Sequence, residues 1–231
     1  MAKHLDLEEQ EQLAEFKHFW NQYGNLISWA LILVFGSVAA WNGYQYWQRS
    51  QAAQAATLYD EVERAAAGGD AARLDRAFAD MKDKFGKTIY ASQAALMVAK
   101  SAIDRQQPEA ARAALTWTVQ QARDDGYKAL ARLRLSALQL DAKAYDEALA
   151  TLADAFPHEF EPLAADRKGD IYLLQGKKAE ATQEYLKAYK GLSERLDYRR
   201  LVEIKLTSLG VDAKGGDGAA SATPAAAGVK P

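Results

Sequence analysis

Polar and apolar positions divide the chain into stretches of different period. No residue from Asn21 to Gln48 is charged, and Gly24 to Trp47 reads GNLISWALILVFGSVAAWNGYQYW. Its centre, Leu26 to Val38, holds most of the large aliphatic groups, and its ends carry Tyr23, Trp41, Tyr44, Tyr46 and Trp47. A helix rises about 1.5 Å per residue, so this run can cross a hydrocarbon core of roughly 30 Å with its aromatic rings at headgroup level. Trp41 to Trp47 is the weakest part of the span. A cleaved leader calls for a short basic lead, whereas here Asp6, Glu8, Glu9, Glu11 and Glu15 precede the apolar run. Ser37-Val38-Ala39 fits a cleavage site, but the run overshoots a leader's apolar region. A retained single-pass anchor in a lipid bilayer is the expectation, against a cleaved leader or a buried soluble helix.

After Arg49 the period changes to that of amphipathic helices. Leu74, Phe78, Met81 and Phe85 step by four, three and four, which places them on one stripe. Breakers fall at Gly68-Gly69-Asp70 and Gly86-Lys87-Thr88. The pattern predicts helices over about 51–67 and 71–85. Pairs then follow: 90–104 with 108–122, 127–141 with 145–155, 160–174 with 178–192. A last helix covers 194–209. Pro108 and Pro162 stand where a first helical turn has no amide bond to lose. Short linkers make neighbouring helices antiparallel.

The pairs repeat. Phe160 to Leu192 carries Gly169, Tyr172, Gly176, Ala181, Tyr185 and Ala188 at the intervals of a tetratricopeptide unit, which runs to about 34 residues. Gly169 and Ala181 belong where the two helices cross closely, with Tyr172 and Tyr185 around the crossing. The preceding unit supplies Leu135, Ser136, Ala148, Leu152 and Ala155. Ala111 to Ala148 is 37 positions and Ala148 to Ala181 is 33, so a longer loop is expected at Asp124-Asp125-Gly126. The fold class is all-α: one transmembrane helix followed by a short tetratricopeptide-like solenoid. The expected layout is an acidic arm at 1–20, an anchor at 21–48, the repeat domain at 49–209 and a disordered Ala/Gly-rich tail at 210–231. In the arm, Leu5, Leu13, Phe16, Phe19 and Trp20 form an intermittent apolar stripe, read either as an interfacial helix or as a partner-docking one. Leu201, Ile204 and Leu209 are expected to cover the last unit, with charged residues toward water.

Registering the units on Ala99, Ser136 and Gly169 projects a concave face. It holds Leu96 and Ile103, then Leu130, Leu133 and Leu140, then Leu163 and Leu173, with Asp166 and Asp170 toward its C-terminal end. Lys100 is the one basic group among these positions, so clamping of a peptide carboxylate is disfavoured. An apolar groove suits a hydrophobic segment of a partner or a non-native chain. Occlusion by the first helix or by a second copy, as a homo-oligomer, is the alternative.

Chemistry adds exclusions. The formal net charge is -2, with no polycationic face for nucleic acid and no polybasic patch for anionic lipid expected. No cysteine is present, so disulfides, thiolate metal sites and a cysteine nucleophile are ruled out. His4, His18 and His158 fall on both sides of the span and cannot assemble a metal centre. No glycine-rich phosphate loop precedes a Lys-Ser/Thr pair. No catalytic residue, metal ligand or cofactor site is therefore expected. Lys3 and Lys17 precede the span while Arg49 and Arg64 follow it, which leaves its orientation open.

The order of parts resembles a known bacterial family. The acidic arm with Phe16, Phe19 and Trp20 runs into Tyr23-Gly24-Asn25 and the anchor, then Gly43-Tyr44, Leu58-Tyr59, Tyr90-Ala91 and Gly169-Asp170-Ile171-Tyr172 with Gly176. This arrangement, over about residues 1–209, is similar to that of the YfgM-like ancillary subunits of the SecYEG translocon. The resemblance implies an inner-membrane protein with a cytoplasmic N-terminus and a periplasmic repeat domain. It implies partners in the translocon, in a membrane-anchored periplasmic prolyl-isomerase-like chaperone and in newly translocated chains. It also implies, for some members, a tie to envelope stress signalling through the arm. A membrane-tethered scaffold for another envelope assembly or for cell division is the competing function.

Overall fold

The computed structural model describes residues 7–214, with side chains from 13 onward. Leu5 and tail residues 215–231 lie outside the described residues. Helix α1 (Leu7–Ala67) is followed by α2 (Ala71–Phe85), α3 (Ile89–Asp104), α4 (Pro108–Gln121), α5 (Asp125–Asp141), α6 (Tyr145–Thr151), α7 (Glu161–Leu174), α8 (Lys178–Gly191) and α9 (Asp197–Ser208). No strand occurs among the described residues. Two compact units are distinguished, up to residue 53 and from residue 54 on.

The first unit contains a run long and apolar enough to cross a membrane. Leu26, Trp29, Ile32, Leu33 and Phe35 are all more than half exposed, around the whole helix. An all-round apolar surface of this kind suits hydrocarbon rather than water. Below it, Phe16 and Trp20 stack at 6.3 Å, and Phe19 meets Tyr23 at 5.2 Å. The Trp20 indole folds onto Gly24, where an added Cβ would stand 3.1 Å from its ring nitrogen.

The second unit is the solenoid. Asp70, Thr88 and Asp124 each accept a first-turn amide, so α2, α3 and α5 start where a short polar side chain replaces the missing helical acceptor. Pro108 and Pro162 lie in the first turns of α4 and α7. From α2 onward consecutive helices pack against one another, while α3 with α5 and α5 with α7 share an inner layer. A large N-terminal cluster joins Val62, Leu74, Met81, Ala95 and Leu115, with Phe78 edge-on to Trp117 at 5.8 Å. A smaller middle cluster centres on Leu133, Ala148, Leu152 and Ile171, and a third on Tyr185, Val202 and Leu206.

The boundaries differ from expectation in three places. Asp124 caps α5, so Asp125 and Gly126 fall in its first turn, and the longer repeat interval is taken up by α4 and a 17-residue α5. Helix α6 stops at Thr151 after seven residues. Ala155 is consequently exposed loop rather than a packing position. At the C-terminal end Val211 donates to the Leu206 carbonyl at 3.0 Å, and Val211 and Ala213 pack on the third cluster. Packed chain therefore continues beyond 209.

Candidate partner-binding face

Repeat geometry begins with the close crossing of α7 and α8. A Cβ at Gly169 would stand 2.5 Å from Cε1 of Tyr185, a ring with no solvent exposure. Ala181 and Ala188 are fully buried beside it, and so are Ser136, Ala148 and Leu152 in the preceding unit; Leu135 is nearly so. Tyr172 is half-buried on the third cluster. Gly176 has nothing within 4 Å of its would-be Cβ, but its φ of +78° lets the chain leave α7. It is a turn residue rather than a packing residue.

The inner face is less open than the sequence suggests. Leu96 and Leu140 are buried, and Leu133 is only 9% exposed, packed with Ala148, Leu152 and Ile171. Leu130, Leu163 and Leu173 are half-buried against the clusters. Ile103 alone of the projected apolar residues is exposed. The expectation of an open apolar middle to the groove is thus corrected: Leu133 and Leu140 are inter-helix core under α6 and α7, and Leu96 belongs to the N-terminal cluster. Leu133→Ala is accordingly expected to lower stability by about 2 kcal/mol. A urea midpoint that does not move would return Leu133 to an open surface.

The C-terminal end of the face is occupied from within. Asp166 is 2% exposed and receives the Lys205 ammonium at 2.8 and 2.9 Å and the Tyr198 hydroxyl at 2.6 Å. Lys205 also donates to Asp170 at 2.7 Å, and Asp170 accepts the Tyr185 hydroxyl at 2.7 Å. Burial pushes both phenols well above their usual range, and their hydrogen bonds to the carboxylates push the same way, so both remain neutral donors. This overturns the expected face of α9 at Leu201 and Ile204, while Leu209 packs on the third cluster as expected. Val202 and Leu206 point inward with Lys205, while Leu201 and Ile204 point outward.

Toward the N-terminal end the inner layer is polar and aromatic. Tyr59 lies 5.9 Å from Tyr90, and Gln93 donates to the Tyr127 hydroxyl at 2.7 Å, which joins α1, α3 and α5. Burial, then Glu63, raises the Tyr59 phenol. All four side chains are half-buried.

Arg132 is the functional-looking residue that sequence reading missed. It is buried, donates to the carbonyls of Thr151, Asp154 and Ala155 at 2.9, 2.9 and 3.0 Å, and stacks 4.0 Å from the Phe156 ring centroid. Burial lowers its affinity for the proton, with Asp154 opposing. Three of its five N–H donors go to the turn after α6, which gives it a structural role there. Among the described residues no group of three His, Asp or Glu side chains could hold a metal ion.

The model of the tetratricopeptide repeat-like domain family matches residues 17–211. The ancillary SecYEG translocon subunit of Neisseria gonorrhoeae is 33% identical over 213 residues, which is 90% of this chain and 100% of that relative. The chain belongs to the ancillary SecYEG translocon subunit family. The Haemophilus influenzae member is 30% identical over 203 residues, covering 88% of this chain and 98% of its own. The Escherichia coli member is 27% identical over 176 residues, covering 75% and 83%. No solved structure matches the chain. Family members are named as ancillary subunits, in keeping with a chain that presents surfaces rather than a reaction centre. The family match spans both the apolar run and the repeats, so α1 and the solenoid are parts of one family architecture.

Proposed function

We propose that the chain is a non-enzymatic accessory of the SecYEG translocon. In this reading the anchor crosses the inner membrane once, the arm is cytoplasmic and the repeats are periplasmic. There the repeats link the translocon to a membrane-anchored prolyl-isomerase-like chaperone and to newly translocated chains. The observation that carries it is the end-to-end match to the Neisseria gonorrhoeae subunit, 33% identical over that relative's full length. The inner face supports a protein partner at its N-terminal half, where Tyr59, Tyr90, Gln93 and Tyr127 offer rings and hydrogen-bonding edges. Aromatic side chains bury large area at low entropy cost, which suits them to interfaces.

The test uses the full chain in its membrane. A photo-crosslinker replacing Tyr127 is expected to capture a translocon subunit or the chaperone. A tag before Lys3 is expected to be protease-protected in spheroplasts, and one after Leu209 digested. Capture of a component of another envelope assembly, with neither expected partner, would overturn the translocon reading; digestion of the N-terminal tag alone would reverse the orientation.

A further inference from the structure

The last helix of a repeat array covers its neighbour with one face and meets solvent with the other, which is ordinarily polar. Helix α9 departs from this. Val202 and Leu206 are fully buried, yet Leu201 is 44% and Ile204 59% exposed on the opposite face, and Leu196 just before the helix is 51% exposed. Arg195 and Arg200 stand among them, exposed and without a carboxylate partner among the described residues. The neighbouring charges are spent internally: Arg199 on Glu194 at 3.3 Å and Lys214 on Glu203 at 2.9 Å. Asp197 lies in the first turn of α9, where the helix amides offset its charge. Arg195, Leu196, Arg200 and Ile204 line one open depression of about 810 Å³, whose wall Glu194, Asp197 and Glu203 share.

We propose that this C-terminal end of the solenoid seats on anionic lipid headgroups. Guanidiniums without a carboxylate partner stand beside large aliphatic side chains, Arg195 and Leu196 just before α9 and Arg200, Leu201 and Ile204 on it, and this pairing matches the chemistry of a bilayer interface. The phosphates take the arginines, and the acyl boundary takes Leu196, Leu201 and Ile204. An acidic protein would satisfy the arginines but leaves the aliphatic groups without a stated counterpart. A lipid surface is also always at hand, because the same chain carries a membrane span. Covalent linkage turns the second contact into an intramolecular one, so a patch too small to hold a free protein suffices. Binding of this kind weakens with added salt.

The chain has no cysteine, so Ser208→Cys on α9 gives a single labelling site, with Glu109→Cys on α4 as the control. The full chain is reconstituted one copy per nanodisc, in phosphatidylcholine with or without phosphatidylglycerol, and quenching by doxyl-labelled lipid is read. Quenching at 208 is expected to exceed that at 109 only when phosphatidylglycerol is present. The excess is expected to be lost on Arg195→Glu with Arg200→Glu, and reduced on Leu201→Ser with Ile204→Ser, at unchanged thermal melting. Equal quenching at the two sites overturns the proposal. So does an excess that persists in phosphatidylcholine alone or survives the arginine reversals. Shielding of the 208 label from aqueous iodide without lipid quenching also overturns it. Such shielding assigns the face to a second copy if it appears only in two-copy discs, and to a protein partner if it needs added translocon.

Discussion

Gly169→Leu is expected to destabilise the repeat domain by about 3 kcal/mol, the upper end of the usual range for overpacking. A mere Cβ already falls 2.5 to 3.0 Å from three atoms of the Tyr185 ring. The ring cannot swing aside, because its hydroxyl is bonded to Asp170 and the side chain is fully enclosed. The added volume must therefore part α7 from α8 or break the bond to Asp170. Gly169→Ala offers a graded comparison, since it gains helix propensity of about 1 kcal/mol while still clashing. The measurement is urea unfolding of both variants. A wild-type midpoint for the leucine variant would show that α7 and α8 do not cross at residue 169.

Lys205→Met is expected to cost a similar amount, about 3 kcal/mol, because breaking a buried ion pair strands the remaining charge. The stranded group is Asp166, which keeps only the Tyr198 hydroxyl once the ammonium is gone. Asp170 loses one partner and keeps Tyr185, so the effect concentrates on one carboxylate. The double replacement Lys205→Met with Asp166→Leu is expected to recover much of the loss, as apolar replacement of buried pairs commonly does. Thermal melts of the single and double variants decide it. A double variant no more stable than the single one would mean that Asp166 matters for something other than pairing Lys205.

These two sites differ in how far the sequence discloses them. Gly169, Ala181 and Tyr185 sit close together in the chain at fixed repeat intervals, and a small residue facing a large one is a local signal. Lys205 reaches Asp166 and Asp170 across 39 and 35 positions, and no periodicity announces that pairing. Reading α9 by hydropathy favours Leu201 and Ile204 as its inward face. The structure turns the helix instead so that a cation meets two carboxylates on α7. Arg132 is concealed for the same reason. On a helix rich in charged residues one more arginine reads as solvated, and its role depends on carbonyls 19 to 23 positions away. The projected groove leucines were on the right layer of helices, but spacing alone does not tell a surface that waits for a partner from one the next repeat already covers.

The seven-residue α6 gives the array an uneven mechanical character. Other helices of the solenoid run 12 to 17 residues and bury a row of side chains, whereas α6 contributes Ala148 as its one buried helical residue. In a linear array, resistance to bending and opening is the sum of nearest-neighbour seams, so the thinnest seam sets where the rod gives way. A guanidinium clasp on three carbonyls closes the seam beside the apolar middle cluster of Leu133, Leu152 and Ile171. The short α6 is therefore where the array is expected to yield first. A load applied between the ends of the array is expected to strain that joint before the packing of α3 with α4 or α7 with α8.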